Sequence, residues 1–326
     1  MKTLISSILT WVFIVPLRRC LLLLPVKMSL RVAGVVGAVY ATLSHGHKRR
    51  MKNQLATLFP EKTDDELSRI FRNTCRVYIQ TEVEDYLYCK ITDSNIDRLA
   101  QTQGLEHVDA ALRNGNGAVL LHAHFGNPKM ILPALGYKGY AVNQMGLSPT
   151  DVFDNLRDLM GTDPPRMVMA MMKIKAENEK ALPATFIHLG GGVRPAVNCL
   201  RRNELLAASI DGVRGKLMSV GFMGRTVQFL TGAIRLAART GAALLPVFVV
   251  RRSDHSHLVS IEPPIVMEDE EDAEARIRDA AEKFTEILVQ YFKRYPCHYA
   301  RLLAYDGPPF NPLQTSRPVS PERAQD

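Results

Sequence analysis

The 326-residue chain lacks the features that mark several protein classes. Its five cysteines, Cys20, Cys75, Cys89, Cys199 and Cys297, are scattered without paired spacing. That excludes a disulfide scaffold and points to free thiols in a reducing compartment. Zinc-finger spacing, nucleic-acid motifs and basic–aromatic platforms are missing. The net charge of +8 therefore points to an anionic membrane surface or an acidic partner, not to nucleic acid. No internal repeat occurs. The run Gly190–Gly192 does not extend to G-x-G-x-x-G and gives no dinucleotide fingerprint. With 46% apolar residues the chain reads as globular rather than polytopic.

A long uninterrupted apolar run is also missing. Leu4 to Leu17 is mostly apolar but has only fourteen residues, Pro16 weakens a straight helix, and Arg18 and Arg19 interrupt the pattern before Cys20 to Val26 resumes it. A membrane span needs about 20 residues, and no small-residue cleavage site follows as a secretory signal would require. Residues 1–27 are therefore predicted to be a retained anchor that dips into or lies on the membrane. Arg18, Arg19 and Lys27 would meet headgroups on the cytoplasmic face of an inner membrane. A buried core helix is the alternative.

Residues 28–45 continue an apolar helical pattern. Thr63 with Glu66 three residues later forms a capping-box pattern, opening an amphipathic helix with Leu67, Ile70, Phe71 and Cys75 on one side. Further helices are expected over 104–113, 151–160, 195–202, 231–239 and 272–294. Strands are expected near 118–122, 140–145, 184–189, 204–210, 220–222, 226–229, 244–250 and 258–261. Strands alternating with helices argue for an α/β fold, a mixed central sheet flanked by helices, following the N-terminal apolar membrane-anchoring helix. The α/β domain covers 28–305, and the Pro-, Ser- and charge-rich residues 306–326 read as a disordered tail.

The most informative stretch is Ala118 to Gly136, AVLLHAHFGNPKMILPALG. Its apolar start reads as a buried strand ending in His122, Ala123 and His124. Asn127 suits a helix N-cap, Pro128 the first helical position and Gly136 the stop. Two histidines thus fall where a strand gives way to a helix. In open α/β folds ligands bind beyond the carboxyl ends of strands, and a helix N-terminus there favours an anion. Because positions two apart share a strand face, His122 and His124 point the same way.

The order of motifs resembles the bacterial lipid A biosynthesis acyltransferases, within the lysophospholipid acyltransferase superfamily. The likeness covers most of the chain. It rests on the apolar N-terminus, NQLATLFPEKTDDEL, the strand ending in HFGN (His124 to Asn127), Arg194 preceding Asp211-Gly-Val-Arg-Gly215, the segment VGFMGRTVQFLTGAIRLAARTGAALLPVFV, and YPCHYARLL. The resemblance implies acyl transfer from an acyl-carrier-protein or coenzyme A thioester to a hydroxyl of a glycolipid or lipid A-like acceptor, without metal or redox cofactor. The family motif is His-x4-Asp/Glu, in which the histidine takes the hydroxyl proton and the acid orients the imidazole. His124 matches the base; the acid position holds Lys129. A cation there opposes a helix macrodipole and disfavours imidazolium formation. Asp211, at another predicted strand end, is the candidate replacement orienter.

Other candidates carry plainer alternatives. His122 is a substrate contact or a structural histidine, and Asn127 a cap that also lines the site. Lys129, Arg194 and Arg225 are contacts for a substrate phosphate or carboxylate, or solvated cations. Arg201 and Arg202 face an acidic carrier protein or end a helix. The run Met167 to Met172 lines an acyl tunnel or packs a core. Two further functions compete: a binding protein for acyl lipid or carrier protein that has lost turnover, and a metal-dependent hydrolase built on the H-x-H pair His122 and His124 with His188, Asp211, His255 or His257.

Overall fold

The computed structural model describes residues 18–146, 166–188, 192–212, 215–267 and 272–299. The first seventeen residues of the expected anchor, the helix expected over 151–160, glycines 190 and 191, and the expected tail lie outside the described residues.

A seven-stranded sheet forms the centre of the molecule, in the spatial order β1 (Ala100–Gln103), β9 (His257–Ile261), β8 (Ala243–Arg251), β2 (Ala118–His122), β5 (Leu205–Ser209), β3 (Val142–Gly146) and β4 (Thr185–His188). Neighbours pair in parallel except β8 with β9, which are antiparallel, so the sheet is mixed, as expected. The central strand β2 is buried along its length. A strand covered on both faces has no polar side to show, which is why Ala118-Val-Leu-Leu121 reads as a continuous apolar run.

Two cores flank this sheet. Val119 and Leu121 face one core with α8 (Arg194–Arg201), α9 (Gly232–Thr240) and α10 (Ala273–Arg294), filled by Phe248, Phe284, Leu288 and Phe292. Ala118 and Leu120 face the other with α5 (Leu105–Arg113) and α6 (Ile131–Gly136), where Ile131, Leu132 and Leu135 pack. A separate hairpin, β6 (Leu217–Phe222) with β7 (Arg225–Leu230), lies against α10. Asp272 caps α10 through its side chain, and Gly241 ends α9 in the left-handed conformation that favours glycine.

The N-terminal helices are α1 (Val26–Leu43), α2 (His45–Leu58) and α3 (Asp64–Glu84). The capping box predicted for α3 forms, with Thr63 and Glu66 bonding each other's backbone N–H, and Leu67, Ile70, Phe71 and Cys75 are buried. Helix α1 packs on α3 through Ala33, Gly34, Gly37 and Ala41, with Gly37 pressed so close that a Cβ would lie 2.6 Å from the Cys75 carbonyl. Its large side chains Met28, Val32, Val35, Val36, Val39, Tyr40 and Leu43 are exposed instead. Among the described residues it is the one helix long and apolar enough to cross a membrane. Residues 18–23 are helical, and Lys90 Nζ bonds the Leu22 and Leu24 carbonyls.

The segment after β2 departs from the sequence reading. Asn127 was expected to cap a helix, but its side chain makes no cap hydrogen bond. A 3-10 turn, Pro128–Met130, comes first, and the short α6 follows. Among the described residues, β1, α2, the 3-10 turns Tyr88–Lys90 and Pro296–His298, α4 (Asp93–Leu99) and the helix Arg166–Glu179 went unpredicted.

Candidate active site

The register of the two central strands builds the site. His122 on β2 lies opposite Ser209 on β5, and the Ile210 N–H donates to the His122 carbonyl at 2.8 Å. His124 and Asp211 each stand two residues further on, so both emerge at the carboxyl edge on the same face. His124 Nδ1 and Asp211 Oδ1 are 2.6 Å apart. A carboxylate can only accept, so Nδ1 carries the proton. The His124 backbone N–H also donates to both Asp211 oxygens at 3.1 Å, and the Tyr299 hydroxyl donates to Oδ2 at 3.0 Å. Asp211 is nearly excluded from solvent, with 2% of its side chain exposed, whereas His124 shows 38%. A buried carboxylate needs paired donors to stay charged, and this one has them.

The loop carrying His124 is held from several sides. Phe125 is buried, stacks on the His298 ring at a centroid distance of 5.6 Å and meets Phe248 edge-on. Gly126 has φ +65°, donates to the His298 carbonyl at 2.7 Å, and lies so near the Val249 carbonyl that any Cβ would overlap it. Asn127 is buried with its amide turned inward: Nδ2 donates to Glu84 Oε2 at 2.8 Å, and Oδ1 accepts from the Tyr88 hydroxyl at 3.2 Å. It is therefore part of the interior, not of a solvent-facing substrate surface.

Glu84 sits in a cluster of its own. Arg251 grips it with both terminal nitrogens, and His257 Nε2 lies 2.7 Å from Oε1. Burial alone would raise the Glu84 carboxyl, but Arg251 and His257 outweigh it and hold the group well below the usual carboxylate range.

His122 is buried, its Nδ1 lies 3.2 Å from the Ala123 carbonyl and its ring meets that of His124 edge-on at 6.4 Å. Burial and then the neighbouring His124 pull its imidazole down to about 4, so it is neutral near pH 7. Lys129, in the family's acid position, pairs with Glu179 and with Asp85, and lies 5.9 Å from the Tyr88 ring centroid. Burial would lower its ammonium, but Asp85 and Glu179 more than offset that and raise it. Lys175 on α7 (Arg166–Glu179) bridges Glu82 and Asp85, so α7 is tied to α3 and the residue following it. The Lys129 charge is thus paired with two carboxylates, while 34% of its side chain stays exposed.

Arg194 opens α8 and is exposed. Arg225 is exposed at the tip of the β6–β7 hairpin, whose other end meets Ile210 through the Leu230 N–H. Five strand steps separate Arg225 from Leu230, roughly 17 Å, so the hairpin carries it away from Asp211. Among the described residues no group of three His, Cys, Asp or Glu side chains is placed to hold a metal ion, and His257 is engaged by Glu84.

Sequence reading missed Tyr299, His298, Glu84 and Arg251. Two of them leave a signal. Gln80 and Glu84 fall on the buried stripe of an amphipathic helix, and Arg251 closes an otherwise apolar strand. A charge in such a place needs a partner.

The model of the family described as bacterial lipid A biosynthesis acyltransferase matches residues 2–302. A phosphatidylinositol mannoside acyltransferase of Mycobacterium tuberculosis (strain CDC 1551 / Oshkosh) is 34% identical over 149 residues, 44% of this chain. The match spans 42% of that relative, less than half its length. The crystal structure of the 1-acyl-sn-glycerophosphate (LPA) acyltransferase PlsC from Thermotoga maritima aligns over 79% of this chain and 95% of that one, with 14% identity and a TM-score of 0.34.

Proposed function

The chain belongs to the bacterial lipid A biosynthesis acyltransferase family, and on that premise we propose that it moves a fatty acyl group from an acyl-carrier-protein or coenzyme A thioester to a hydroxyl of a membrane glycolipid. His124 acts as general base and Asp211 as its orienter. With Nδ1–H directed at Asp211, Nε2 is the nitrogen that takes the hydroxyl proton. The freed oxygen attacks the thioester carbonyl, the tetrahedral oxyanion collapses, and the carbon–sulfur bond breaks. The imidazolium returns its proton to the leaving thiolate. Asp211 stabilises the imidazolium while it exists. The observation that carries this reading is the 2.6 Å contact between His124 Nδ1 and Asp211 Oδ1. It supplies the carboxylate that the Lys129 position lacks, and so favours turnover over a binding protein without it.

Arg194, exposed at the start of α8, is assigned to an anionic group of the acceptor or carrier protein. The outward stripe of α1 is assigned to the lipid surface. Met28, Val32, Val35, Val36, Val39 and Leu43 recur at helical spacing on its exposed side while small residues face α3, the reverse of a soluble helix. In this reading the protein works at the cytoplasmic face of an inner membrane. Val35→Asp/Val39→Asp should then lose most sedimentation with vesicles of a bacterial lipid extract, and undiminished binding would remove α1 from the docking surface.

The deciding experiment incubates purified protein in detergent with labelled acyl-CoA or acyl-carrier protein and a membrane lipid extract, wild type beside His124→Ala. A labelled lipid formed by wild type and lost in the variant supports the proposal, and its mass identifies the acceptor. Tight acyl-chain binding with no product from any donor overturns it.

A further inference from the structure

The His124 loop is anchored to a charged cluster that the acyl-transfer chemistry does not use. We propose that Glu84 is a positioning residue for that loop, acting through Asn127; the proposal rests on the reading of His124 as the base. Glu84 is the last residue of α3 and only 3% exposed. One oxygen accepts a hydrogen bond from Arg251 Nη1 at 2.8 Å and faces His257 Nε2 at 2.7 Å. The other accepts from Arg251 Nη2 and from the Asn127 amide at 2.8 Å. Asn127 is 2% exposed and stands three residues after His124.

Stability alone is a weak reason for such a cluster. A buried ion pair gains little over well-packed apolar side chains of the same volume, because desolvation consumes most of the attraction. Its position gives a stronger reason. The chain leaves β2 at His122 and must turn through Gly126 into the 3-10 turn at Pro128. Gly126 fixes the turn against β8 and His298. The Asn127 side chain fixes it against α3, because its donor and its acceptor are both engaged, by Glu84 and Tyr88. Arg251 locks Glu84 in turn, and its own backbone N–H donates to His298 Nε2 at 3.0 Å. The loop is therefore held at two points beyond His124, and the Asn127 point depends on Glu84. If it is released, the imidazole keeps Asp211 as a partner but loses its fixed approach to a bound hydroxyl. A misplacement of 1 Å costs about 100-fold in rate.

The test uses Asn127→Ala, which leaves the ion pairs intact, Glu84→Gln, and the double variant. Acyl transfer is measured from palmitoyl-CoA into a membrane lipid extract. Both single variants should lose about 10- to 100-fold in kcat with donor KM within about threefold of wild type, and the double variant should be no worse than the worse single one. The far-downfield proton resonance of the His124–Asp211 bond, identified by its loss in Asp211→Asn, should shift or broaden in each. If Glu84→Gln fails to fold, Asn127→Ala carries the test through kcat and the resonance. An Asn127→Ala protein with kcat within twofold of wild type and an unmoved resonance overturns the proposal, as do additive losses in the double variant. A wild type without turnover overturns the acyl-transfer reading instead, and the resonance still decides the positioning one.

Discussion

Replacing Asp211 by asparagine is the sharpest test of the His124–Asp211 pair, because it changes charge with almost no change in volume. The aspartate accepts from His124 Nδ1, from the His124 backbone and from Tyr299. An asparagine can keep its oxygen toward His124 and turn its amide nitrogen toward the Tyr299 hydroxyl, which is able to accept. Folding is then retained and the charge is lost. Two unit charges about 4 Å apart at an effective dielectric near 20 attract by about 4 kcal/mol. That attraction exists only while His124 is an imidazolium, that is, in the proton-transfer step, so its loss slows turnover by about 1000-fold. If the amide turns the other way, His124 takes the wrong tautomer and the loss approaches 10,000-fold, as in the serine-protease analogue. The assay is steady-state acyl transfer with thermal unfolding in parallel, and His124→Ala as the reference for complete loss. A variant that keeps kcat within about threefold of wild type would refute the argument that Asp211 stabilises the imidazolium.

Three further outcomes follow from the same geometry. Gly126→Ala should destabilise the fold by about 2–4 kcal/mol and depress kcat, since a Cβ at φ +65° overlaps the Val249 carbonyl; unchanged urea unfolding would contradict this. Lys129→Glu recreates the family's acid spacing but sets a third carboxylate beside Asp85 and Glu179, so melting should fall by the equivalent of about 1–3 kcal/mol with no gain in kcat; a faster enzyme would show that the position still reaches His124. Burial holds His122 and His298 at about 4 in the folded protein, against 6.5 as the ordinary value, so protons favour the unfolded chain. Stability is full above pH 6.5, falls as the pH drops toward 4 by on the order of 3 kcal/mol per histidine, and levels below it; urea titrations from pH 7 to 4.5 should show the decline, with a shallower slope in His298→Asn.

Much of the site could be read from the chain because strand patterning is local. An apolar run closed by histidine and another closed by Asp211-Gly announce two strand ends, and parallel pairing brings those ends side by side. The capping box of α3 was legible for the same reason, since all its partners lie within four residues. Asn127 misled because the choice between capping a helix and reaching Glu84 is made by tertiary structure, 43 residues away in sequence. Strand β1 was missed because Ala-Gln-Thr-Gln carries little apolar signal and takes its conformation from pairing with β9. Sequence alone sets Lys129 as a cation near His124, because its partners Glu179 and Asp85 lie on distant segments.

The residues His298 and Tyr299 brace both halves of the pair at once: the His298 carbonyl holds Gly126 beside His124, and the Tyr299 hydroxyl holds Asp211. During synthesis β2 and β5 are complete long before this segment leaves the ribosome. A nascent chain can therefore pair its strands with the histidine and aspartate already adjacent, while neither has its final support. A chain halted before residues 298 and 299 carries His124 and Asp211 but lacks the Gly126 and Asp211 contacts that brace them in the folded protein.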